Sequence, residues 1–154
     1  MMKEEYLLSL LSEKNQMVCV MDTNQYTQRF GLMLSEQEAE LLVKEQTEVL
    51  KEQQRIEFGK GVLEKLIFAF CDSNFISQDN YAETIQRLQE IFYLYKNESM
   101  DELTDDELIE FMREAFDGKC QGSLDYLEDT CLEEFAREIR SNTHRFIGRY
   151  KVDE

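Results

Sequence analysis

Not one of the 154 residues is proline. Proline fixes φ and removes a backbone donor, so its absence leaves long stretches free to keep α geometry. Breaks then fall to Gly31, Gly59, Gly61, Gly118, Gly122 and Gly148, which lie almost entirely between runs of helix-period apolar residues. The expected fold class is mainly α: a single irregular bundle of about six helices, one domain spanning 1–154. A chain of this size can bury roughly 70% of the surface its unfolded form exposes, so one core suffices.

Apolar spacing places the elements. Tyr6, Leu7, Leu10 and Leu11 predict a first helix over 3–14. The continuous run Met17-Val18-Cys19-Val20-Met21 suits a short strand near 17–21 or an extended segment as well as a helix turn. Ser35 and Glu38 form a capping box that opens a long helix to Phe58, with an apolar seam at Ala39, Leu42, Val49 and Ile56 interrupted by Gln46 and Gln53. That narrow seam leaves a homodimer open. After the break at Phe58-Gly59-Lys60-Gly61, Val62 to Cys71 is apolar on nearly every side and is expected to be interior, as a helix or as a buried strand at 66–71.

Tyr81, Ile85, Leu88, Phe92 and Tyr95 give the cleanest amphipathic pattern. Thr104 and Glu107 form a second capping box, followed by Leu108, Met112, Ala115 and Phe116, with Gly118 as the C′ residue. Ser123 opens the last long helix, with Leu124, Leu127, Cys131, Leu132, Phe135 and Ile139 inward and an acidic outer face. The basic, aromatic tail 143–154 is expected to be extended or docked on that acidic block.

Composition excludes several partner classes. The 42% hydrophobic fraction, with ten Phe and seven Tyr, argues for a packed core although 32% of the residues are charged. Net charge is −16, and residues 98–138 carry 15 acids against 3 bases. A field of this sign repels nucleic acid and anionic lipid, while a basic protein or a cation remains compatible. No apolar run approaches the roughly 18 residues of a membrane span, and the acids near the start do not suit a secretory signal, so a cytoplasmic protein is expected. Cys19, Cys71, Cys120 and Cys131 form no CxxC pair and are expected to be buried structural thiols.

Catalytic patterns do not assemble. His144, the only histidine, sits in the tail beside Arg145, and a Cys-His pair with Cys71 or Cys131 would require the tail to enter the core. Zinc and di-iron sites of the usual kinds need several His or Cys, or Glu-x-x-His on bundle helices. Phe58-Gly59-Lys60-Gly61 lacks the strand before it and the Gly-Lys-Ser/Thr ending of a phosphate loop. No cofactor is expected.

One window, Asp117 to Glu128, has the spacing of an EF-hand loop. Asp117 stands at position 1, Gly122 at 6, Asp125 at 9 and Glu128 at 12, the last able to close the oxygen shell bidentately. Lys119 at position 3 sets a cation where a ligand oxygen belongs, so affinity for calcium should suffer, and a plain helix-turn-helix is the competing reading. A second window, Asp72 to Glu83, has Ile76 and Ser77 at two of the critical positions.

Asn24-Gln25-Tyr26-Thr27-Gln28-Arg29-Phe30-Gly31 has the composition of many recognition loops: an arginine between two aromatics, outside the long helices. Tyr26, Arg29 and Phe30 are therefore candidate partner-binding residues. The competing account makes Tyr26 and Phe30 an i, i+4 core pair, with Arg29 capping or pairing with an acid.

The string Met21 to Leu32, the Leu34-Ser35-Glu36 cap and the stretch Asp101 to Leu108 together resemble an uncharacterised family of small acidic bacterial proteins, a likeness that extends to about Ser141. The resemblance implies a bacterial cytoplasmic protein and transfers no site residue. The leading expectation is a non-enzymatic interaction protein that offers the acidic face of 98–138, or the Tyr26 to Gly31 segment, to a protein partner. The alternatives are a degenerate EF-hand-like calcium-responsive module and an enzyme with dispersed carboxylates.

Overall fold

Two of the long helices start where a side chain takes up orphan amides. The Ser35 hydroxyl accepts from the Glu38 amide at 3.1 Å while the Glu38 carboxylate accepts from the Ser35 amide at 2.9 Å. Thr104 and Glu107 repeat the arrangement at 3.1 and 2.8 Å. In the computed structural model, residues 14–52, 61–100 and 102–141 are described. The expectations for 3–13, for 53–60 and for the tail 143–154 with His144 fall outside these residues.

Six helices make up the described residues. They are α1 (14–22), α2 (Glu36–Glu52), α3 (Val62–Phe70), α4 (Tyr81–Glu98), α5 (Asp105–Asp117) and α6. In α6, Leu124–Tyr126 runs through a π-helical stretch, Leu127–Cys131, into Leu132–Arg140. Between α1 and α2 lies a corner made of one helical turn, Asn24–Thr27, and a 3-10 turn, Gln28–Phe30.

α4 is the hub. It packs against α2, α3, α5 and α6, and its Tyr81, Ile85, Leu88, Ile91, Phe92 and Tyr95 are all buried. Tyr95 lies between Phe111 of α5 and Phe135 of α6, with ring centroids at 5.8 and 5.1 Å. Its hydroxyl donates to the Leu127 carbonyl at 2.8 Å, so burial leaves that polar tip satisfied. Lys96, near the end of α4, pairs with Asp105 at the start of α5 at 2.6 Å.

Four local expectations need correction. Residues 14–22 are helical, not a strand, because Met17, Val20 and Met21 face the core at helical spacing while Val18 is 60% exposed. α3 is helical throughout 66–70 and is interior on one side only, since Phe68 is 48% exposed. Gly118 caps α5 with φ −87° and ψ −103° rather than in the left-handed region, which falls instead on Gln121 and Gly122. Cys71, Cys120 and Cys131 are buried as expected, but Cys19 is exposed.

Candidate interaction surface

Buried polar side chains fix the corner between α1 and α2. Asn24 clips Leu34 from both sides: its amide donates to the Leu34 carbonyl at 2.9 Å and its Oδ1 accepts from the Leu34 amide at 2.8 Å. The Thr27 hydroxyl donates to the Leu32 carbonyl at 2.8 Å, and the Thr23 hydroxyl to that of Val20 at 2.6 Å. Outside the core, Gln78 makes the same two-way clip on Met33, at 2.8 and 2.9 Å, and ties the corner to the segment before α4. Each clip satisfies backbone groups that no helix or ladder serves.

Held in this way, the corner turns its aromatics outward. Tyr26 and Phe30, four residues apart, are 40% and 41% exposed and meet edge-to-face at 5.7 Å. Phe68, from α3, stands against Tyr26 at 5.6 Å and completes a cluster of three exposed rings. The Arg29 guanidinium lies 4.2 Å from the centre of the Tyr26 ring, and its Nε donates to the Tyr26 carbonyl at 2.9 Å. The competing core-pair account of Tyr26 and Phe30 does not match these exposures, and Arg29 stacks on a ring.

Sequence reasoning placed Tyr26, Arg29 and Phe30 together because they are neighbours in the chain. It missed Phe68, whose exposure cannot be seen in an unbroken apolar run, and it missed Asn24, Thr27 and Gln78 as the residues that set the corner. An Asn or Thr beside a turn is the signal that would have pointed to them.

The EF-hand-like carboxylates are each engaged by a base. Asp117 accepts from Arg113 Nε at 2.6 Å and from the Ser73 hydroxyl at 2.7 Å. Arg113 also pairs with Asp72, the first residue of the second window, at 2.6 Å, and donates to the Ala69 carbonyl. Burial works against the Arg113 charge, but the hydrogen bonds it donates to Asp72 and Asp117 prevail and its pKa is raised. Asp125 and Glu128 instead share Arg87 of α4, at 3.0 and 2.6 Å. Among the described residues no three His, Cys, Asp or Glu side chains are grouped so as to hold a metal ion.

Bases on α6 and on the connector before it partly neutralise the acids around this helix. Lys119 pairs with Glu134 at 2.8 Å, Arg137 with Glu133 at 2.8 Å, and Arg140 with Glu98 at 3.6 Å. A shallow depression of about 480 Å³ there is lined by Glu98, Glu128, Asp129, Leu132, Glu133, Ala136 and Arg140. No helix among the described residues is long and apolar enough to cross a membrane.

Residues 19–145 match the sequence profile of a family of unknown function, DUF6323. No curated protein and no solved structure matches the chain.

Proposed function

The chain belongs to DUF6323, a family of unknown function, and for this member we propose a non-enzymatic interaction role in which the corner surface Tyr26, Arg29, Phe30 and Phe68 anchors a partner polypeptide. The observation that carries this reading is the cluster of three exposed rings held by buried hydrogen bonds. Aromatic side chains supply much contact area for little lost rotamer freedom, and arginine stands beside them among the residues that dominate binding hot spots. A corner already fixed by Asn24, Thr27 and Gln78 loses little further entropy when it is covered. With a net charge of −16 the chain steers a partner that is basic overall, and that partner sets an apolar side chain among the rings.

Site-specific photo-crosslinking tests this. A benzophenone amino acid replaces Phe30 in one variant and Glu133 on the acidic face in another, each irradiated in the protein's own cells. The expected result is one discrete adduct with a second protein from position 30, lost with Phe68→Ser and absent from position 133. Adducts from 133 but not 30 would move the docking role to the acidic face. A self-adduct from 30 would make the surface a homodimer contact, and no adduct at either position would leave the rings without a partner; both results overturn the proposal.

A further inference from the structure

Two of the buried cysteines meet. Cys120, on the connector between α5 and α6, and Cys131, the last residue of the π-helical stretch, place their sulfurs 3.3 Å apart. A disulfide bond is about 2.05 Å long, so the sulfurs need to close by only about 1.3 Å. The two segments are already held in register. Lys119, beside Cys120, pairs with Glu134, one turn beyond Cys131, at 2.8 Å. On the connector itself, Cys120 donates its amide to the Ala115 carbonyl at 2.9 Å and Gly122 to that of Phe116 at 2.8 Å. The other thiols differ: Cys71 makes its contact with the Phe68 carbonyl, at 3.6 Å, and Cys19 is exposed.

We propose that Cys120 and Cys131 form a native-state dithiol–disulfide couple, oxidised by low-molecular-weight disulfides of the glutathione type. In the first step one cysteine thiolate attacks glutathione disulfide, which forms a protein–glutathione mixed disulfide and releases one glutathione thiol. The neighbouring thiolate then displaces the second glutathione. The two protein thiols lose two protons and two electrons in all, and the oxidant is reduced to two glutathione thiols.

Cys120 and Cys131 are 3% and 2% exposed, so reagent enters when the connector opens, and the exchange is slow. Burial also pushes the Cys120 thiol up to about 12, which keeps it protonated and inert while the fold is closed. The bond, once made, is shielded from reductant in the same way. It closes a loop between residues eleven apart, which removes freedom from the unfolded chain alone.

The sequence supplies a clean readout. Trypsin cuts after Lys119 and Arg137 and nowhere between, so the peptide 120–137 carries Cys120 and Cys131 and no other cysteine. The full chain is equilibrated to constancy in glutathione redox buffer, quenched in acid, unfolded, alkylated and digested. The expected peptide is lighter by two hydrogens and takes no alkyl group until reduced, while exposed Cys19 carries glutathione or alkyl. The oxidised Cys19→Ser protein is expected to melt about 6–12 °C above its reduced form, a difference that Cys131→Ala removes. Recovery of the peptide with both thiols alkylated, or with a glutathione adduct, overturns the proposal. So does a disulfide that lowers the melting temperature.

Discussion

Gly122 and Gly31 share a left-handed backbone, φ 80° and 78°, in different surroundings. A Cβ at Gly31 would meet nothing within 4 Å, whereas one at Gly122 would lie 2.5 Å from Phe75 Cγ. Left-handed geometry alone costs about 1–2 kcal/mol for a residue with a side chain, so Gly31→Ala should lose roughly that amount. Gly122→Ala must in addition push Phe75 off Phe116, an edge-to-face pair at 6.1 Å, and is expected to lose about 3 kcal/mol in all. Urea unfolding midpoints measure both; equal losses would show that Phe75 swings aside freely. The same local logic made Tyr26, Arg29 and Phe30 legible in the sequence, because their relation is one helical turn. Phe68 was not legible, since its place beside Tyr26 depends on how α3 meets the corner.

Among the elements, the α5–α6 connector shows how spacing and geometry part company. Asp117, Asp125 and Glu128 stand where an EF-hand loop needs them, yet Arg113 draws the first away and Arg87 holds the other two. Calcium would have to displace charge-assisted hydrogen bonds on both sides of the loop. Millimolar calcium is therefore expected to leave the melting temperature within about 1 °C of that in chelator, since a ligand stabilises only by binding the folded state. A rise of several degrees would restore the calcium-responsive reading. Capping boxes at Ser35 and Thr104 were readable because the devices are contained within four residues. The stretch 17–21 was ambiguous because an unbroken apolar run hides its period, and only packing showed Val18 turned to solvent.

For the molecule as a whole, buried weak acids set the alkaline limit. Burial pushes the Cys120 thiol and the Tyr81 phenol up to about 12, from ordinary values of 9.0 and 10.0, and raises Tyr95 as well. The folded chain keeps these protons after the unfolded chain has released its own, so their contribution is intact below pH 9 and drains away as pH climbs from 9 to 12. Urea midpoints should fall across that window, with a shallower fall in Tyr95→Phe; a flat or rising profile would contradict the assignment. The helical class was legible from composition and period, whereas the outward corner and the meeting of Cys120 with Cys131 depend on contacts between separate elements. The central place of α4 also bears on how the protein is made. Synthesis runs from the N-terminus, and the hub ends only at Glu98 of 154 residues. The faces that α2 and α3 bury against it must wait beside the ribosome until it emerges, which makes the half-finished polypeptide a natural client for chaperones.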